Sequence, residues 1–256
     1  MPKPTIVMIH GFRGTHHGLE LIAKNLRDEF ETVMPDLPGF GEGPLLPKHD
    51  LEHYVDWLRS VMMHYEKPIL LGHSFGSIIT AEYAARYPDT IEKLVLVNPI
   101  STPALEGPQR LMTKLAIFYY WLGKKLPARP SRAWLSAKPI ILVMSAMMAK
   151  TNDRDLRKFI HEQHLTYFSN FQSRDALHES FVTSVSHNVK ESAPRIKVPT
   201  LLIVGDQDDI APLKGQHELL PLLQNADLKI ITGVGHLTHY EKPNEVADFV
   251  KDFVHK

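Results

Sequence analysis

Short apolar runs alternate along the chain with segments whose apolar residues recur every three or four positions. The runs at 5–9, 32–34, 69–71, 94–97, 200–204 and 228–231 mostly lack polar alternation. Strands covered on both faces read this way, so each run predicts a buried strand. Leu51, Tyr54, Val55, Leu58, Val61, Met62 and Tyr65 fall at helical spacing, with Asp50 just ahead as a candidate N-cap. Val246, Phe249, Val250, Phe253 and Val254 repeat that pattern near the C-terminus. Strand, helix, strand, helix predicts a parallel sheet with helices on both faces.

One stretch interrupts the alternation. Residues 101–195 contain no convincing strand but do contain helical patterns (Leu156, Phe159, Ile160). They also hold the aromatic cluster Phe118-Tyr119-Tyr120-Trp121 and the methionines Met144, Met147 and Met148. Ordinary connections run to roughly 4–6 residues. The segment is therefore expected to be a helical lid inserted into a core formed by 1–100 and 196–256.

Composition narrows the picture. A chain of 256 residues, 43% hydrophobic, suffices for one large α/β core with an insertion. Lys plus Arg and Asp plus Glu are both 29, so no basic excess favours a nucleic-acid partner. With no cysteine, disulfides and thiolate metal sites are excluded. The segment after Met1-Pro2-Lys3-Pro4 reads as a strand rather than a secretory signal. The apolar run at 140–149 is too short to span a bilayer, which takes about 20 residues. A cytoplasmic protein with no membrane span is expected.

Gly72-His73-Ser74-Phe75-Gly76 follows the predicted strand at 69–71 and precedes a helical run with Ile78, Ala81, Ala84 and Ala85. This is G-x-S-x-G in strand–turn–helix context, the setting of a nucleophilic serine on a strained turn. The helix N-terminus behind Ser74 favours a developing oxyanion. The amide of Phe75 supplies one donor for that oxyanion. Phe12, in His10-Gly11-Phe12 after the first strand, is placed to supply the other, although His10-Gly11 also reads as a simple strand-ending turn.

Serine needs a base to remove its proton. Among 15 histidines, His236 stands out because it follows a strand and the glycine loop Gly233-Val234-Gly235, with His239 as runner-up. Carboxyl ends of strands are where open α/β sheets hold ligands. His49, His53, His64 and His255 read as solvated surface groups. The orienting acid belongs at another strand end before the histidine. There Asp206, Asp208 and Asp209 compete, and spacing does not choose among them.

Taken together, His10-Gly11-Phe12, Asp36-Leu37-Pro38-Gly39-Phe40-Gly41, Gly72-His73-Ser74-Phe75-Gly76, Gly205-Asp206-Gln207-Asp208 and Gly235-His236 resemble the α/β-hydrolase superfamily over nearly the whole chain. The resemblance implies an α/β-hydrolase fold. Its G-x-x-D pattern selects Asp208 as the acid. It also places a lid after the sixth family strand, where 101–195 falls. Some members put the acid at the end of that strand; here Asn98 stands there and carries no charge. The family's first two strands have no counterpart before Thr5, so a sheet of about six parallel strands is expected.

The expected activity is cleavage of an ester-like bond in a small-molecule acyl substrate by Ser74, His236 and Asp208, without cofactor or metal, in a monomer or homodimer. Carbon–carbon bond hydrolases, thioesterases, lactonases, cofactor-free haloperoxidases and a lyase of menaquinone synthesis resemble the chain equally. A slow-turnover ligand receptor is the alternative outside enzymes.

Other signals weigh less. Gly39-Phe40-Gly41-Glu42-Gly43 fails the dinucleotide fingerprint because Pro44 stands where glycine is required. His161 and His164 lack a third metal ligand and read as exposed on a helix. Met144, Met147 and Met148 read as packing, with an apolar pocket lining as the alternative. Arg13 reads either as a bidentate holder of a substrate carboxylate or as a surface residue with another partner.

Overall fold

The computed structural model describes residues 3–104 and 110–256. Met1, Pro2 and five residues of the expected insertion, 105–109, lie outside the described residues. Six parallel strands form one sheet: β1 (Thr5–Ile9), β2 (Glu31–Val33), β3 (Ile69–His73), β4 (Leu94–Val97), β5 (Thr200–Gly205) and β6 (Ala226–Ile231). Their spatial order is β2-β1-β3-β4-β5-β6. All six runs expected from the sequence are strands. β2 begins one residue earlier than its apolar pattern and β6 two, because the ladder extends past the apolar run at Glu31 and Ala226.

Alternate side chains of each strand enter opposite layers, as the strand period of two requires. On one face Val7, Ile9, Leu70, Leu94, Leu96 and Leu202 pack with α2 (Leu51–Met62) and α3 (Phe75–Arg86). On the other, Ile6, Met8, Ile69, Leu71, Val95 and Val97 pack with α1 (Glu20–Leu26) and α11 (Pro243–Val254). The expected N-cap is present: the Asp50 carboxylate accepts the His53 amide at 3.0 Å. Such a cap contributes about 1 kcal/mol. Between β5 and α11 lie α9 (Leu213–Leu219) and the short α10 (Thr238–Glu241).

Among the described residues five α-helices separate β4 from β5: α4 (Arg110–Lys125), α5 (Ala128–Leu135), α6 (Lys138–Met148), α7 (Arg154–Tyr167) and α8 (Arg174–Ser186). Among the described residues no helix is long and apolar enough to cross a membrane. Tyr120, Leu135, Phe171, Leu177 and Phe181 of this insertion join the sheet-face cluster that contains Phe40 and Phe75.

Polar ties fasten the insertion to the sheet. Arg13, in the loop after β1, is 1% exposed. Its Nε donates to Phe168 O at 2.9 Å, its Nη2 to Leu135 O at 2.7 Å and its Nη1 to the Tyr120 hydroxyl at 3.3 Å. The side chain thus reaches α4, the end of α5 and the turn after α7. It is neither on the surface nor open to a substrate carboxylate, which corrects both sequence readings. A second tie is Glu241, whose Oε1 accepts the amides of Lys150 and Thr151 at 2.7 and 2.9 Å.

Several histidines are core residues. His49 is buried rather than solvated, and its Nδ1 lies 3.2 Å from the Tyr54 hydroxyl. His164 is also buried, contrary to expectation. His161 and His164 both turn a ring nitrogen to the Ser145 hydroxyl, at 2.7 and 2.6 Å, which makes them a packing device between α6 and α7. Burial pushes His10 down to about 4, and His73 and His164 each down to about 3.

Two predictions follow from these buried groups. Replacing Arg13 with Met removes all three of its hydrogen bonds and leaves Phe168 O and Leu135 O without their buried donor. The expected cost is about 3 kcal/mol in urea unfolding; a loss below about 1 kcal/mol would show that the insertion is held mainly by other contacts. The lowered histidines also set a pH dependence. As pH falls below about 6.5, unfolded chains bind protons that the folded state refuses, so these groups lower stability with falling pH down to about 4 for His10 and about 3 for His73 and His164. Each buried histidine contributes at most about 1.4 kcal/mol per pH unit in that window. Urea midpoints should drop between pH 7 and pH 5 with an unchanged slope. A flat profile across that range would contradict the neutral, buried assignment.

Candidate active site

The loops at the carboxyl ends of β1, β3, β4, β5 and β6 converge. Three of them contain a non-glycine residue with positive φ: Arg13 at 59°, Ser74 at 53° and Asn98 at 45°. Such conformations cost on the order of 1–3 kcal/mol each and persist only where the surroundings enforce them. At Ser74 the enforcement is visible. The chain turns from β3 into α3 so sharply that a Cβ on Gly76 would meet the carbonyl oxygens of Ile9 and His10, the latter at 2.6 Å. A Cβ on Gly72 would meet Thr80 Oγ1 and, at 2.6 Å, Gly76 O. The two glycines of G-x-S-x-G are therefore required by close backbone approach.

Ser74 Oγ lies 2.7 Å from His236 Nε2, and His236 Nδ1 lies 2.8 Å from Asp208 Oδ2. The structure thus joins the three residues selected from the sequence. The competing residues have other partners. Asp206 caps the following loop through Gly233 N at 2.7 Å, and Asp209 pairs with Lys150 at the surface at 2.5 Å. His239 packs at a tilt of 58° against His73, with ring centroids 4.1 Å apart, and among the described residues the histidine bonded to Ser74 is His236.

Asp208 is buried and fully coordinated by donors. Its Oδ1 accepts the amides of Ile210 and Ala211 at 2.8 and 2.9 Å; its Oδ2 accepts Asn98 Nδ2 at 2.9 Å in addition to His236. Burial alone would raise the carboxyl. The adjacent His236 and these hydrogen bonds outweigh burial and hold it below the ordinary aspartate value. Asn98 also donates to Gly235 O at 3.2 Å and accepts the Thr238 hydroxyl at 2.5 Å, which fixes its amide orientation. Its lack of charge excluded Asn98 as the acid, but its supporting contact was not foreseen. Nothing in the local sequence marked Thr238. Glu241 was missed too: its Oε2 accepts Gly235 N at 3.0 Å, so one carboxylate holds both the histidine loop and the insertion.

The other sequence motifs frame the site. His10 Nε2 accepts the Leu37 amide at 2.8 Å while its Nδ1 lies 2.9 Å from Gly11 O. The first contact makes Nε2 the unprotonated nitrogen and Nδ1 the donor. Asp36 accepts the amides of His16 at 2.6 Å and Glu42 at 2.9 Å. These bonds fix the loop that carries Phe12. The Phe12 amide enters no turn or loop hydrogen bond among the described residues, and the Phe75 amide lies in the first turn of α3, where helices lack internal acceptors. Both residues border a cavity of about 270 Å³. Ser74 and His236 lie on its wall. Met144 and Met148 of α6, with Phe168 and Phe181, supply apolar lining. Trp121 does not line it; that ring is 45% exposed on the outside of α4.

Known proteins share this fold. The family profile described as "alpha/beta hydrolase fold" matches residues 4–243. Mouse monoacylglycerol lipase ABHD6 is 26% identical over 98% of the chain and 76% of its own length. An esterase from Thermogutta terrifontis superposes with a TM-score of 0.80 at 19% identity, covering 99% of this chain and 90% of the other. The enol-lactonase of Burkholderia xenovorans superposes with a TM-score of 0.84 at 17% identity, covering 100% and 93%. With a family match across nearly its whole length and a six-stranded parallel sheet of the matching kind, the chain belongs to the α/β-hydrolase fold family.

Proposed function

We propose that this protein is a serine hydrolase that cleaves an ester-like bond of a small acyl substrate through an acyl-enzyme intermediate. The observation that carries this reading is the unbroken hydrogen-bond chain Ser74–His236–Asp208, opening onto an apolar cavity. Relatives named as lipases and esterases support hydrolysis in general.

In this reading Ser74 Oγ attacks the substrate carbonyl and passes its proton to His236 Nε2. Asp208 holds Nδ1–H and stabilises the imidazolium. The Phe12 and Phe75 amides donate to the oxyanion of the tetrahedral intermediate. His236 returns the proton to the leaving alkoxide, the C–O bond breaks, and an acyl ester on Ser74 remains. Water, deprotonated by His236, then attacks that ester and releases the acid, and the proton returns to Ser74. The insertion α4–α8 acts as a lid that excludes water and sets acyl preference through Met144 and Met148.

Turnover of short p-nitrophenyl esters tests the chemistry. Ser74→Ala should remove most activity without lowering the melting temperature, whereas His236→Ala should remove most activity and also lower the melting temperature, because the buried Asp208 carboxylate loses a partner. Asp208→Asn should cost on the order of 10⁴ in kcat, while Asp206→Asn and Asp209→Asn stay near wild type. Near-normal turnover in the Ser74 variant refutes the nucleophile. A burst followed by almost no steady turnover in the wild type favours a ligand-binding receptor instead.

The lid reading makes a separate prediction. Met144→Ala and Met148→Ala should move the preferred acyl chain to longer esters by enlarging the cavity, with the smallest ester cleaved as before. An unchanged chain-length profile would remove the insertion from substrate selection.

A further inference from the structure

The outward face of α4 is not the face expected of a helix packed on a protein core. Leu111, Leu115 and Phe118 fall at i, i+4 and i+7 and share one side of the helix. They are 66%, 55% and 58% exposed. Trp121 extends the strip, its ring stacked on Phe118 with centroids 5.9 Å apart. Lys114 and Lys125 lie on the same side by helical spacing, and both are exposed. Tyr120 and Gly123, on the opposite side, are the buried residues of the helix. On α6, Val143 and Met147 are also exposed, at 58% and 42%. Thr113 of α4 and Met144 and Met148 of α6 line the same cavity, so these two helices border the site.

Charge along the chain is segregated at this same place. The protein has no net charge, yet residues 107–152 hold eight Lys and Arg and no Asp or Glu. Among the described residues Lys114, Lys125, Arg129 and Lys138 form no ion pair, and all are exposed. Exposed Leu, Phe and Trp interleaved with unpaired cations suit a surface that is apolar beneath and anionic on top. A second copy of the chain fits poorly, because a two-fold contact through this face would oppose cations with no acid to meet them. Nucleic acid would leave the Leu and Phe side chains without an apolar counterpart.

We propose that the outward face of α4, with exposed residues of α6, which lines the same cavity, docks the protein on an anionic lipid surface. The apolar side chains enter the headgroup boundary and the lysines and arginines meet lipid phosphates. This holds whatever bond Ser74 attacks.

Co-sedimentation with vesicles tests it. The whole protein is mixed with vesicles of phosphatidylcholine containing about one-third phosphatidylglycerol, and separately with pure phosphatidylcholine. Binding is expected on the anionic vesicles, with about tenfold less on neutral ones or at about 0.5 M NaCl. Phe118→Gln with Trp121→Gln, and separately Lys114→Ala with Lys125→Ala, should each reduce binding about tenfold at an unchanged melting temperature. Brominated lipid should quench part of the wild-type fluorescence, and Trp121→Phe should lose that part, a readout that needs only one conservative change at an exposed site. No binding to anionic vesicles overturns the proposal. So does binding that both double variants retain, or sedimentation velocity without lipid showing a dimer that the Phe118/Trp121 variant dissolves.

Discussion

A carboxylate withdrawn from water must be matched by donors, and at Asp208 that requirement draws three strand ends to one point. The backbone after β5 supplies the amides of Ile210 and Ala211, the end of β4 supplies the Asn98 amide, and the loop after β6 supplies His236. Leaving one of these groups out would leave buried charge uncompensated, which proteins tolerate poorly. The carboxylate therefore does more than face the histidine. It sets where the β4, β5 and β6 loops stand relative to one another, and hence where His236 stands relative to Ser74.

The same rule governs the insertion. Arg13 is a buried cation with no carboxylate partner. It is satisfied by two backbone carbonyls and a tyrosine hydroxyl, with the rings of Tyr120, Phe168 and Phe171 about 6 Å from its guanidinium carbon. Its neighbour in sequence is Phe12, which borders the cavity. One loop thus holds the inserted helices on one side and borders the cavity on the other. Glu241 works in parallel from the far side, joining the Gly235 amide to the Lys150–Thr151 turn. The insertion is fastened through the loops that build the site, so a displacement of α6 or α7 would be felt at His236 and Phe12.

Burial has opposite consequences for the titratable groups around this centre. His10, His73 and His239 are buried, and burial drives all three down, at His10 even with the Asp36 carboxylate 3.8 Å away. The His73 ring packs 5.5 Å from that of His236 and 4.1 Å from that of His239. His236 differs in having Asp208 at 2.8 Å on one nitrogen and a hydroxyl at 2.7 Å on the other. These histidines are thereby separated by environment into one hydrogen-bonded to both Asp208 and Ser74 and four that pack, the fourth being His164 against Tyr240.

Local sequence was enough for the sheet and the serine turn. Buried parallel strands need uninterrupted apolar runs, and the turn after β3 excludes any side chain at positions 72 and 76, so both leave an imprint readable without coordinates. Asp50 as a cap and the helical spacing from Leu51 to Met62 are local in the same sense. The choice of Asp208 over Asp206 and Asp209 was not local: it came from a family resemblance, because three adjacent aspartates differ only in where the folded loop points them. The roles of Arg13, Asn98, Thr238 and Glu241 lay further out of reach. Their partners stand between 6 and 155 residues away along the chain. No periodicity encodes such contacts, since only packing the insertion against the sheet creates the buried carbonyls and amides that these side chains answer. His49 and His164 were misjudged as solvated for that reason: whether an isolated polar residue meets water is decided by what folds over it, and that is tertiary information.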